Sequence, residues 1–139
     1  MGAAGLLVTE TMTGPLTGKT VLIVEDDAII AEGIFDALSD AGAKPLTPCA
    51  TIIDALNLIN SEALDTALVD VNLNGMRSHA VMQALNAKGV PFVAATAYQI
   101  AASLGGPRVI LQKPYTPEHL RAALEEALTA PLPEAQLGE

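Results

Sequence analysis

The chain has 139 residues, half of them apolar and only 3% aromatic, with a formal charge of −9 from 16 acidic and 7 basic side chains. That length suits one ordinary domain with its own core, and the scarcity of aromatic residues favours helices and buried strands over an aromatic-rich sandwich. The negative charge excludes direct nucleic-acid binding by this chain alone, and the single cysteine, Cys49, excludes an internal disulfide and fits a reducing cytoplasm.

Residues 1–18, MGAAGLLVTETMTGPLTG, read as a disordered lead-in, with Met12 as an alternative start. No Lys or Arg precedes their short apolar run, which argues against a secretory signal. Leu6 stands where a myristoylation signal needs Ser or Thr. No apolar run approaches membrane-spanning length, so no membrane role is expected.

The first strong element is TVLIVE (20–25), an apolar strand that runs into Glu25, Asp26 and Asp27. A helix follows over 28–41, with Ile30, Ile34 and Leu38 on one face and Gly42 as its stop. AKPLTP (43–48) is a weaker strand, and Cys49 after it reads as a small, half-buried apolar residue. Ile52, Leu56 and Ile59 line a helix over 51–62, and DTALVD (65–70) is the next strand. Val81, Leu85 and Lys88 line a helix over 77–88, stopped by Gly89. PFVAAT (91–96) and PRVILQ (107–112) are further strands. The last helix, 117–129, has Thr116 as N-cap, Pro117 at its first position, and Leu120, Leu124 and Leu128 on one face. Only a tail, 131–139, follows. Strands that are apolar throughout, each followed by a helix, imply a doubly wound five-stranded parallel sheet covered on both faces, an α/β domain spanning 19–130.

In such a sheet ligands bind beyond the carboxyl ends of the strands. The residues there are Glu25 and Asp26, then Asp70, then Thr96, with Lys113 just past the fifth strand. Singly, each has a plainer reading: a strand-end Asp as a turn or cap, a Lys before Pro as a solvated loop residue, a Thr as an ordinary strand residue. Together they suit phosphoryl transfer. Carboxylates are hard oxygen ligands for Mg2+, Asp70 is a carboxylate nucleophile for phosphorus, and Thr96 and Lys113 can hold phosphoryl oxygens. Asp27, one place further on, reads as the N-cap of the first helix. His79 and His119 fall in amphipathic helices away from this edge and read as exposed surface residues.

The stretches VLIVEDD, ALVDVNLNG, ATAY and QKPY resemble, in order and context, the motifs of bacterial response-regulator receiver domains. The resemblance implies a CheY-like sheet of strand order 2-1-3-4-5. It makes Asp70 the phosphoacceptor, Glu25 and Asp26 the acidic pair, and Asn72 the residue whose backbone carbonyl completes the shell of a Mg2+ ion, or of Mn2+ in its place. Thr96 becomes the switch hydroxyl, and Lys113, before a cis Pro114, the phosphate contact. The implied function is that of a cytoplasmic single-domain response regulator. A histidine kinase or histidine phosphotransfer protein would donate to Asp70, and the chain would signal in trans, to a protein target or along a phosphorelay, as monomer or homodimer. It would be no enzyme toward an external substrate, catalysing only its own phosphoryl transfer and slow dephosphorylation.

Three departures stand out. Ile110 occupies the position where the family usually has a Tyr or Phe switch ring. Tyr98 or Tyr115 substitutes for that ring, or both are surface-edge rings. The segment AYQIAASLGGP (97–107) leaves room for a short or irregular fourth helix, as in small stand-alone receivers of alphaproteobacteria. Leu73-Asn74-Gly75 lacks the frequent proline at position 74. Two other functions compete. A pseudo-receiver would use the fold as a phosphorylation-independent protein-binding module, which Ile110 and the short fourth helix favour and Asp70, Thr96 and Lys113 oppose. A phosphatase of the haloacid-dehalogenase type needs a D-x-D motif after the first strand, which Glu25-Asp26-Asp27 does not supply.

Overall fold

The computed structural model describes residues 14–97 and 106–129. In chain order the elements are β1 (Thr20–Val24), α1 (Ala28–Asp40), β2 (Lys44–Pro45), α2 (Ile52–Ser61), β3 (Thr66–Asp70), β4 (Asn72–Leu73), β5 (Met76–Arg77), α3 (His79–Ala87), β6 (Phe92–Thr96), β7 (Val109–Gln112) and α4 (Pro117–Thr129). The expected short fourth helix, Tyr98 and the tail 131–139 lie outside the described residues. No helix among the described residues is long and apolar enough to cross a membrane.

β2, β1, β3, β6 and β7 form one sheet in that order, every pairing parallel. This is the expected 2-1-3-4-5 arrangement, the small β4–β5 ribbon standing apart. The strands are apolar throughout because each face of the sheet feeds a separate core. Leu22 and Val24 of β1 join Ala67, Val69, Phe92 and Ala94 against Ala55 and Ile59 of α2 and Val81, Met82 and Leu85 of α3. Val21 and Ile23 join Leu68, Val93, Ala95 and Leu111 against Ile34 and Leu38 of α1 and Leu120 and Leu124 of α4. Each leucine so buried contributes about 1.5–3 kcal/mol of transfer free energy.

The helix starts follow their capping chemistry. Asp27 Oδ1 accepts from the N–H groups of Ile29 (2.9 Å) and Ile30 (3.1 Å) at the head of α1. Thr51 Oγ1 accepts from Asp54 N–H (3.1 Å) at α2, and Thr116 Oγ1 from His119 N–H (3.0 Å) at α4.

Four positions differ from the sequence expectation. The buried stripe of α1 is Ala31, Ile34 and Leu38, whereas Ile30 is 40% exposed. Lys88 is exposed, because the α3 stripe turns through Met82 instead. Cys49 is fully buried beside Val24, and burial, reinforced by Asp54, pushes its thiol up to about 11, leaving it inert as a nucleophile. Most importantly, the packed chain begins before residue 19. Leu16, in the expected lead-in, is 1% exposed and lies in the core with Ile23, Leu38 and Leu120. A turn holds it there, with the N–H of Thr17 bonded to the Gly14 carbonyl and that of Gly18 to the Gly42 carbonyl.

Leu16→Ala should therefore lower unfolding free energy by about 2–5 kcal/mol, read as a shifted urea midpoint at unchanged slope. A solvated lead-in would leave the midpoint where it was.

Candidate functional site

The strand order reverses between β1 and β3, which are direct neighbours with Val24 opposite Val69. The next residues along both strands, Glu25, Asp26 and Asp70, are thereby forced together at the carboxyl edge. Their carboxylates can each offer an oxygen within 4.8 Å of the others. Asp70 also lies opposite Ala95, one residue before Thr96, and Thr96 lies opposite Gln112, one residue before Lys113. Sheet register alone thus assembles all of the strand-end residues expected from the sequence.

They line an open cleft of about 610 Å³, together with Asp27, Ile30, Val71, Asn72, Arg77 and Ala97. Lys113 is its internal counter-charge. The Nζ donates to Asp70 Oδ2 at 2.9 Å and lies 3.5 Å from Glu25 Oε1. Burial opposes the charge on this lysine, but the hydrogen bond and charge of Asp70, with Glu25 behind them, hold its ammonium above the ordinary lysine value. The peptide between Lys113 and Pro114 is cis, as the resemblance implies.

Backbone donors fix one further oxygen of each carboxylate. Asp27 N–H donates to Glu25 Oε2 (3.1 Å), Asn72 N–H to Asp70 Oδ1 (3.1 Å) and Asn74 N–H to Asp26 Oδ2 (2.9 Å). Glu25 and Asp70 are buried, as is Thr96. For Glu25, desolvation dominates. Burial raises its carboxyl from 4.5 to about 7; Asp70 adds to this, while the Asp27 N–H and Lys113 oppose it. A hard divalent cation fits such a cluster, since it would replace lost solvation and offset the crowding of like charges.

Two features escaped the sequence reading. The Asn74-Gly75 pair, both with positive φ (51° and 83°), closes β4 and β5 into a two-residue hairpin that sets Arg77 opposite Asn72 on the cleft wall. The Asn-Gly dipeptide between Leu73 and Met76 was the available signal. Ser78, fully buried, donates from Oγ to the carbonyl of Asp70 (2.7 Å), with that of Val71 at 3.1 Å, and so ties the loop to the backbone of Asp70. A serine before a helix reads simply as a cap, so this role left no signal.

The rings and histidines sort differently. Ile110 packs half-buried against the α2–α3 core, so an aliphatic side chain fills the usual ring position. Tyr115 is no surface-edge ring. It packs against the α1–α4 core, and its buried hydroxyl finds no hydrogen-bond partner among the described residues. Burial, then the charges of Glu25 and Asp70, raise its phenol far above the ordinary tyrosine value. His79 and His119 are exposed and line no part of the cleft.

Comparison with known proteins gives a consistent answer. The family model described as "Response regulator receiver domain" matches residues 21–125. The solution structure of SdrG from Sphingomonas melonis Fr1 is 34% identical, with TM-score 0.69, over 84% of this chain and all of that one. A response regulator receiver protein from Sinorhizobium medicae WSM419 is 25% identical, with TM-score 0.73, over 81% of this chain and 96% of that one. The receiver domain of the sensor histidine kinase PA1611 from Pseudomonas aeruginosa PAO1, solved with a magnesium ion coordinated in its active-site cleft, shares the fold at 23% identity and TM-score 0.72, over 82% of this chain and all of that one. None of the curated proteins matches.

The Glu25 environment sets a pH signature for the metal-free protein. Unfolded, Glu25 ionises near 4.5; folded, near 7. Between those values the native state holds the extra proton, so this contribution to stability is complete below 4.5 and is lost as pH rises toward 7. Urea unfolding in EDTA should show the wild type losing stability relative to Glu25→Gln across that window. A constant difference would contradict the burial assigned to this carboxyl.

Proposed function

Because the chain belongs to the response-regulator receiver family, we propose that it is a signalling phosphoacceptor that takes a phosphoryl group onto Asp70. The observation that carries this reading is the environment of the Asp70 carboxylate. It is buried, held at 2.9 Å by Lys113, oriented by the Asn72 N–H, and opens onto a cleft that Thr96 shares.

The chemistry needs little beyond position and charge. An Asp70 oxygen forms a bond to phosphorus as the donor's P–N or P–O bond breaks, and the leaving group takes the electron pair. Lys113 then exchanges a carboxylate partner for a phosphoryl oxygen, and the Thr96 hydroxyl donates to another. Glu25, Asp26 and the Asn72 carbonyl, together with Asp70, would hold a Mg2+ or Mn2+ ion; when bound, the ion neutralises charge on the phosphoryl oxygens.

The donor on this reading is a phosphohistidine of a kinase or phosphotransfer protein in the cytoplasm, and output is by contact with a protein target or onward transfer. The chain acts on no separate substrate. Ile110 favours one second reading, a phosphorylation-independent binding module, because an aliphatic residue replaces the ring that usually follows the switch hydroxyl.

Incubation with Mg2+ and acetyl phosphate, followed by intact-mass measurement, separates the two. One added phosphoryl group is expected, absent in Asp70→Asn and absent when EDTA replaces Mg2+ during the incubation. Lys113→Ala should slow the gain by at least roughly tenfold, as expected for removal of a charge-assisted contact from a buried site. No mass gain in the wild type would support the binding module instead.

A further inference from the structure

We propose that Arg77 is a second cationic ligand for the phosphoryl group as it reaches Asp70, completing the contact made by Lys113. The inference rests on the phosphoacceptor reading above.

Electrostatics create the need. Four carboxylates line the cleft, those of Glu25, Asp26, Asp27 and Asp70. The Lys113 ammonium is already engaged by two of them, at 2.9 and 3.5 Å. A divalent cation and Lys113 together do not cancel that charge, and an incoming phosphoryl group adds more. Within such a mouth an anionic donor is repelled unless a further cation meets it. Arg77 is the other basic side chain on the cleft wall among the described residues. It makes no ion pair with any of the described residues, and its side chain is exposed, so its guanidinium can meet a ligand.

Its placement is fixed by structure on both sides. Residue 77 is held opposite Asn72 by the β4–β5 hairpin, whose turn uses two residues of positive φ and whose Leu73 is buried. Ser78, next in the chain, is buried and bonded through its side chain to the Asp70 carbonyl and through its N–H to the Val71 carbonyl (2.9 Å). The backbone carrying Arg77 is therefore anchored to the backbone carrying the nucleophile. A guanidinium offers a planar pair of donors suited to two phosphoryl oxygens, which an ammonium does not. The bonds made and broken are those of the transfer itself: Asp70 oxygen to phosphorus forms, donor to phosphorus breaks, and Arg77 neither gains nor loses a proton.

The test compares wild type, Arg77→Gln, Arg77→Lys and Asp70→Asn, as the full chain at saturating Mg2+, by the rate of mass gain from acetyl phosphate. Arg77→Gln should be roughly two- to fivefold slower, the range for a contact made by an exposed charged side chain. Its Mg2+ affinity should be equal to or tighter than wild type, because a like charge near the ion has gone. Arg77→Lys should recover part of the rate, and the wild-type advantage should shrink as salt screens the contact. A wild-type rate in Arg77→Gln overturns the inference and leaves the phosphoacceptor reading intact. Parallel loss of rate and Mg2+ affinity also overturns it, since that marks a damaged hairpin. Failure of the wild type itself to gain mass removes both.

Discussion

Three carboxylates that must share one sheet edge are the constraint around which this molecule is arranged. Parallel register brings Glu25, Asp26 and Asp70 together at the point where the strand order reverses. Two of them are buried, where like charges are costly. Lys113, the Asn72, Asn74 and Asp27 N–H groups, and the raised carboxyl of Glu25 are the ways the folded chain meets that cost. Each is provisional in the chemical sense. A divalent cation would take over part of that compensation, and on the proposed function Lys113 would pass from a carboxylate to a phosphoryl oxygen.

Both faces of the sheet are sealed by helices, and the strands contribute alternately to two cores. The loop that follows Asp70 is closed by a hairpin and pinned by Ser78 to the carbonyl of Asp70 itself. The position of Asp70 is therefore tied to that of the hairpin. Tyr115 packs in the α1–α4 core with its hydroxyl buried, whereas Ile110 belongs to the core of the opposite face.

Much of this was legible in the sequence. Continuous apolar strands, helix stops at Gly42 and Gly89, and caps at Asp27 and Thr116 follow from local chemistry, and they suffice for the fold. Once a parallel sheet is inferred, the strand-end rule finds Glu25, Asp26, Asp70, Thr96 and Lys113 without coordinates. What the sequence hid is of another kind. Leu16 is buried by a turn tied to Gly42, a contact with no local signature. Ile30 fits the apolar period of α1, yet that face turns toward the cleft at the helix start. Ser78 and Arg77 acquire their places from the Asn74-Gly75 turn, whose dipeptide was visible but whose effect on the cleft wall needed the register of the hairpin.

The claim on which the rest depends is that three carboxylates gathered at one sheet edge form a seat for a divalent cation. Calorimetric titration of Mg2+ into the wild type and into Asp26→Asn tests it most directly. The wild type should bind one ion, and Asp26→Asn should bind at least roughly tenfold more weakly. Equal binding by the two proteins, or no binding at all, would contradict it.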